Sequence, residues 1–316
     1  MSEKKKKSIP AEFTILIIFL VIFISSFLFI RDFKSLNNIT NLLRSTAING
    51  IIAIGMTFVI IGAGIDLTVG AVAGLSGVVA SMIMVKTGGI WFPILLGIVC
   101  GTMVGALNGI VIFDGKVPPF IATLGMSTAV RGSIYLMTDA RLITNLPAKF
   151  TGFAQIRIFN VPAMVLVWIA VVLIGAFIIK CTLFGRNIFA IGSNVEAARL
   201  SGINIRVTTY GIYMFSSTVA AIGGIVLASR LANGIPTAGQ GFENDAIAAV
   251  IIGGASFTGG QGTVWGTVIG ALLIQTLKNA GNLLGINSFI LDIATGLILI
   301  FAVMIDSLKR EKSGKV

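Results

Sequence analysis

Four acidic residues sit in or beside apolar runs of this 316-residue chain: Asp66, Glu243, Asp245 and Asp292. A carboxylate near the centre of a bilayer costs about 2.5 to 3.5 kcal/mol to insert, so each needs polar surroundings. Asp66 lies in the run Gly64-Ile-Asp-Leu-Thr-Val-Gly70, where it or Thr68 can accept from the free amides that open the next helix. Three roles stand open for Asp66: a cap, a gate or pathway group, and an ion-coupling site. Asn244 and Asp245 follow the turn at Gly239 to Gly241 and read first as caps. Arg131, inside another apolar run, must snorkel or pair, with Asp139 or a helix-end carbonyl as partner. Phe120 and Trp265 read as packing groups before stacking platforms. The candidate pathway or gating residues are therefore Gly64, Asp66, Thr68, Gly70, Phe120, Asn244 and Asp245.

Other chemistry is excluded. The chain has no histidine, and its two cysteines, Cys100 and Cys181, form no CxxC spacing or disulfide framework. It has no GxxxxGK[ST] loop, since Gly115-Lys116 is followed by Val117 and Gly314-Lys315 by Val316. No catalytic residue, metal site or cofactor is expected on this chain.

The elements that must position these residues are membrane helices. Hydrophobic residues make up 56% of the chain and charged residues 11%, with a mean hydropathy of +1.00, far from soluble averages. With about 20 apolar residues per span, the expectation is an all-α polytopic membrane protein of about ten transmembrane helices, a single transmembrane domain over 1–316. The apolar run Phe13 to Ile30 follows Lys4 to Lys7 but lacks a clear small-x-small cleavage site, and reads as a retained first helix. Further spans are expected over about 47–63, 68–85, 91–113, 119–137, 162–179, 207–228, 244–257, 263–280 and 286–305. The stretches Gly64 to Gly70 and Gly253 to Gly260 are glycine-interrupted and read as broken helices buried in protein.

An even count puts both termini on one side. Lys4 to Lys7 and Lys309, Arg310, Lys312 and Lys315 mark that side as cytoplasmic, together with Lys116, Lys180, Arg186, Arg199 and Arg206. Topology thus accounts for most of the +11 net charge, and no aromatic-interleaved basic face points to nucleic acid. Basic residues also fall outside, and Arg31, Arg44 and Arg230 are candidates to meet acidic groups on an outer partner.

The chain also repeats itself. Gly101 to Leu107 reads GTMVGAL and Gly266 to Leu272 reads GTVIGAL; Ala53-Ile54-Gly55 is echoed by Ala221-Ile222-Gly223 and Phe120-Ile121 by Phe289-Ile290. The offset relates spans 2 to 5 with spans 7 to 10, an odd number of helices, so the two repeats are expected to be inverted. Between them lies a polar segment, 180–206. Within it Ser193 and Asn194 can cap a two-turn helix beginning near Val195, with Glu196 in its first turn and Gly202 as its stop. That helix is expected to present Ala198 and its small neighbours for docking.

GRNIFAIGSNVEAARLSGI (Gly185 to Ile203) resembles the cytoplasmic coupling loop of ABC-importer permeases, specifically the ribose-type sugar permease family. GIDLTVG (Gly64 to Gly70) and DAIAAVIIGGASFTGGQGTVWGTVIGAL (Asp245 to Leu272) look like two further signatures of that family. The likeness covers about residues 45 to 306 and keeps the order and spacing of the three motifs. It implies a ten-helix permease of a bacterial inner membrane that works as a pair, as a homodimer or with a close paralogue. It also implies ATPase subunits inside, which hold ATP and Mg, and an extracytoplasmic sugar-binding protein that hands over the substrate. By resemblance Asn194, Glu196, Ala197, Ala198, Arg199 and Gly202 belong to the coupling helix. Three alternatives stand beside an ATP-driven monosaccharide importer: an ion-coupled secondary transporter, a stand-alone channel and a permease for branched-chain amino acids.

Overall fold

The computed structural model describes residues 11–312. Lys4 to Lys7 and Lys315, used above to orient the chain, lie outside the described residues. Two long helices, α1 (Ala11–Phe29) and α2 (Leu36–Ile61), open the chain around a 3-10 turn at Arg31–Lys34. There follow α3 (Val69–Thr87), α4 (Trp91–Phe113), α5 (Pro119–Thr138) and a short α6 (Ala148–Phe153). A two-stranded hairpin, β1 (Arg157–Ile158) and β2 (Val161–Pro162), leads into α7 (Ala163–Cys181). The polar segment contains α8 (Leu183–Ser193) and α9 (Val195–Leu200), and the rest of the chain is α10 (Ile205–Leu231), α11 (Phe242–Ile252), α12 (Val264–Leu283) and α13 (Ser288–Lys312).

Among the described residues seven helices are long and apolar enough to cross a membrane: α1, α2, α3, α4, α7, α10 and α13. The other three expected spans fall on α5, α11 and α12, each for a physical reason. α5 and α12 have 20 residues each, about 30 Å, but carry polar side chains such as Thr128, Arg131 and Ser133, or Gln275, Lys278 and Asn279. α11 has 11 residues, about 16 Å, roughly half a hydrocarbon core. The second helix also begins earlier than its apolar pattern, because Ser35 accepts from Asn38 N and starts it at Leu36.

α2, α3 and α10 are the buried centre, whereas α1 and α13 expose most of their apolar side chains. α10 packs on α3 and α4, and α2 packs on α11 and α12; α3 lies against α4 and α5 much as α11 lies against α12 and α13. Backbones come close where side chains vanish: a Cβ at Gly105 of α4 would overlap the Tyr213 carbonyl oxygen of α10. The second residue of each GT motif makes a hydroxyl contact with one of the two long central helices. Thr102 meets Thr218 of α10 at 2.8 Å and Thr267 meets Thr57 of α2 at 2.7 Å.

Two interruptions are built into this packing. Residues 62–68 separate α2 from α3, and residues 253–263 separate α11 from α12. They are the broken stretches that the glycine pattern marked out.

Candidate functional site

The polar segment holds more structure than its sequence suggested. α8 is an additional helix that the reading above did not foresee, opened by Thr182 Oγ1, which accepts from Gly185 N at 3.1 Å. The threonine cap and the apolar rhythm of Phe184, Ile188 and Ile191 were its available signals. α8 lies inward, with Ile188 buried and the Phe184 ring 6.5 Å from that of Phe58 on α2.

α9 forms as expected. Asn194 Oδ1 accepts from Ala197 N at 2.9 Å, and the helix ends through Gly202, at φ +81°, whose N–H donates to Arg199 O. A side chain at Gly202 would have to adopt this left-handed backbone, which only glycine takes without penalty. Glu196 and Arg199 pair at 2.9 Å on the exposed side, a contact of little energetic weight. One expectation is corrected: Ala198 is not presented for docking. It is only 3% exposed and packs beneath the helix, because position 198 falls on the face turned to the chain's own core. The outward face is Val195, Glu196, Ala197, Arg199 and Leu200, with Leu200 81% exposed.

In the first break Asp66 is fully buried. Its Oδ1 accepts from Thr68 N at 2.9 Å and from the Thr68 hydroxyl, and its Oδ2 accepts from Ser216 Oγ of α10 at 2.9 Å. Asn108 Nδ2 of α4 donates to Thr68 Oγ1 at 3.0 Å. Capping is therefore part of what Asp66 does, and the same carboxylate ties the break to α10. Ser216 and Asn108 were not singled out from sequence, since isolated small polar residues inside apolar runs carry no pattern. Gly64 lies against the Tyr213 hydroxyl, and Thr123 Oγ1 of α5 donates to Ile65 O at 3.2 Å. Gly70 lies against Glu243 and Gly239, so it brings the first break to the entry of α11. Phe120 is exposed at the start of α5, and Asn244 is exposed in the first turn of α11; neither joins this group.

Asp245 corrects a second expectation. The cap position of α11 is Gly241, and the Asp245 side chain instead pairs with Lys278 of α12 at 2.7 and 2.8 Å, with Asp292 3.8 Å from the same ammonium. Asp245 is the fourth residue of α11, past the cap position, and its buried side chain faces Lys278 across the contact with α12. Arg131 finds carbonyls and not Asp139: its Nη1 donates to Pro236 O at 3.2 Å and Ala238 O at 2.7 Å, in the irregular segment 232–241. Of the three arginines expected on the outer face, Arg31 is exposed, Arg44 is half-buried, and Arg230 Nη1 donates to Ser45 Oγ at 3.0 Å.

On the α8 side, Asp114 follows α4 and meets α10. The Tyr210 hydroxyl and Arg206 Nη2, the latter at 3.1 Å, both donate to its Oδ2 and hold this carboxyl below the usual carboxylate range. Among the described residues no group of three or more His, Cys, Asp or Glu side chains could hold a metal ion.

With this geometry in place, similarity adds the lineage. Residues 38–308 match the family described as branched-chain amino acid transport system / permease component. The ribose import permease protein RbsC of Haemophilus influenzae is 41% identical over 280 residues, 87% of each chain. RbsC of Bacillus subtilis is 41% identical over 274 residues, 86% of this chain and 85% of that one. The L-arabinose transport system permease protein AraH of Escherichia coli is 34% identical over 300 residues, 95% of this chain and 92% of that one. No solved structure matches.

Proposed function

We propose that this chain, which belongs to the branched-chain amino acid transport system / permease component family, is the membrane-spanning subunit of an ATP-driven importer of a monosaccharide. It is a transport component and not an enzyme. Sugar is favoured over a branched-chain amino acid because relatives named for ribose, xylose and L-arabinose are 34% to 41% identical over most of the chain. The single observation that carries the mechanical reading is α9. It is a capped, two-turn helix with an outward face of Val195, Glu196, Arg199 and Leu200, on a chain without a phosphate-binding loop.

In this reading a separate ATPase, holding ATP and Mg, grips α9 from the cytoplasm. An outer binding protein delivers the sugar, and a second permease copy completes the pathway. The chain crosses the inner membrane about ten times with both termini inside, α5, α11 and α12 completing the seven apolar spans. The two halves are inverted repeats, supported by the matching packing of α3 on α4 and α5 and of α11 on α12 and α13, and by the exchanged threonine contacts. ATP-driven closure of the ATPase pair then moves the α8–α9 unit and switches access from outside to inside. Ion coupling is less favoured because the Asp66 oxygens are taken up by Thr68 and Ser216.

Reconstitution with the partner ATPase and binding protein in proteoliposomes tests this. Uptake of labelled ribose, xylose or arabinose is expected only with enclosed ATP, and Leu200→Asp is expected to abolish co-purification of the ATPase. Ion-gradient-driven uptake by this chain alone would overturn the proposal.

A further inference from the structure

The bend between α8 and α9 touches both helix breaks at once. At Gly192 a Cβ would overlap the Ile61 carbonyl oxygen at the end of α2 and lie 2.7 Å from Gly260 N in the 253–263 segment. Those two neighbours are themselves joined, Gly260 N donating to Ile61 O at 2.8 Å. At Gly259 a Cβ would lie 2.6 Å from the Ala63 Cβ and 2.8 Å from Gly192 O; at Gly260 it would lie 3.0 Å from the Ser193 Cα. Gly259 and Gly260 hold φ +87° and +70°, and Ala63 is left-handed at +59°. Three stretches far apart in sequence thus meet nearly backbone on backbone, with only the Ala63 Cβ and the short Ser193 side chain between them to absorb a displacement.

The joint is also anchored on its far side. Ser256 Oγ and Phe257 N both donate to Asp306 Oδ2 of α13, at 2.8 and 3.1 Å, so the 253–263 segment is also tied to α13. Ile61 is five residues before Asp66, whose oxygens hold the first break to Ser216 of α10. Close-packed contacts transmit shifts without compressing. A movement of α9 reaches the bend within two residues, and from there the starts of α3 and α12.

From this we propose that Gly192, Gly259 and Gly260 are positioning residues that form one joint, through which the coupling helix drives both helix breaks together and not one helix at a time. This inference rests on the importer reading above and adds to it the route of the motion.

The test uses the complete complex with its ATPase and binding protein in proteoliposomes, with Cys100 and Cys181 replaced by alanine. Ser193→Cys is introduced, and N-ethylmaleimide is added after assembly, so that folding precedes the wedge placed against Gly260. Labelling is expected to lower ATP-driven sugar uptake at least about tenfold while the ATPase subunit stays bound and ATP hydrolysis continues. Uptake unchanged by the label, or release of the ATPase subunit, would overturn the inference. Gly192→Ala is expected to uncouple in the same way, whereas Gly152→Ala, with open space at its Cβ position, is expected to transport normally. If Gly192→Ala fails to assemble, the labelling arm decides. A wild-type complex that shows no ATP-driven uptake would instead refute the importer reading, which separates the two failures.

Discussion

Asp66 shows how a buried charge is made tolerable: three donors on two elements converge on its oxygens, and each is itself held by the packing. Asp66→Asn keeps an acceptor for Thr68 N and a group that reaches Ser216, so the folded protein is expected to survive it. Asp66→Ala leaves the Thr68 amide unsatisfied and is expected to cost about 2 kcal/mol, read as a lower melting temperature in detergent. Uptake preserved in Asp66→Asn would confirm that the group acts by geometry and not by charge. Asp114 behaves differently because it lies past the end of α4 with its side chain reached by solvent. Its carboxyl is depressed by Tyr210 and then Arg206, so its contribution is present above the unfolded pKa, about 3.9, and fades as pH falls through the lower folded value. Tyr210→Phe removes the first donor, and the melting difference from wild type is expected to be constant at neutral pH and to shrink below about pH 4. A difference that instead grows on acidification would contradict this sign.

At the scale of elements, an extensive apolar core packs the helices, and polar pairs fix the pieces that hydropathy alone does not hold. α11 is too short to be held across a bilayer by hydropathy, and the Asp245–Lys278 pair fixes it to α12. Lys278→Ala strands a buried carboxylate and is expected to destabilise the protein by about 3 kcal/mol. The double change Lys278→Met with Asp245→Leu, which removes both charges, is expected to recover most of that loss in the same thermal assay. Equal destabilisation by the single and double variants would show that the pair contributes nothing specific. The irregular segment 232–241 is likewise held by Arg131 through two carbonyls, which explains an arginine inside an otherwise apolar run.

For the whole molecule, the proposed topology sets the β1–β2 hairpin outside and α9 inside. With Cys100 and Cys181 replaced, Phe159→Cys, at a position 97% exposed, is expected to react with an impermeant thiol reagent in intact cells, whereas Leu200→Cys is expected to react only after permeabilisation. The reverse pattern would invert the orientation. Much of this architecture was legible in the sequence: hydropathy located the long helices but not α6 or α8, glycine runs marked both breaks, and Asn194 and Gly202 bounded α9, because each depends on residues close in the chain. Helix crossing was legible only in part, since α5, α11 and α12 mix polar groups whose partners lie elsewhere. Pairing was not legible at all. That Ala198 faces inward, that Asp245 meets Lys278, and that Gly192 rests on Ile61 and Gly260 are decided by which surfaces the fold brings together, and a one-dimensional pattern records periodicity but not the neighbour across a gap of many residues.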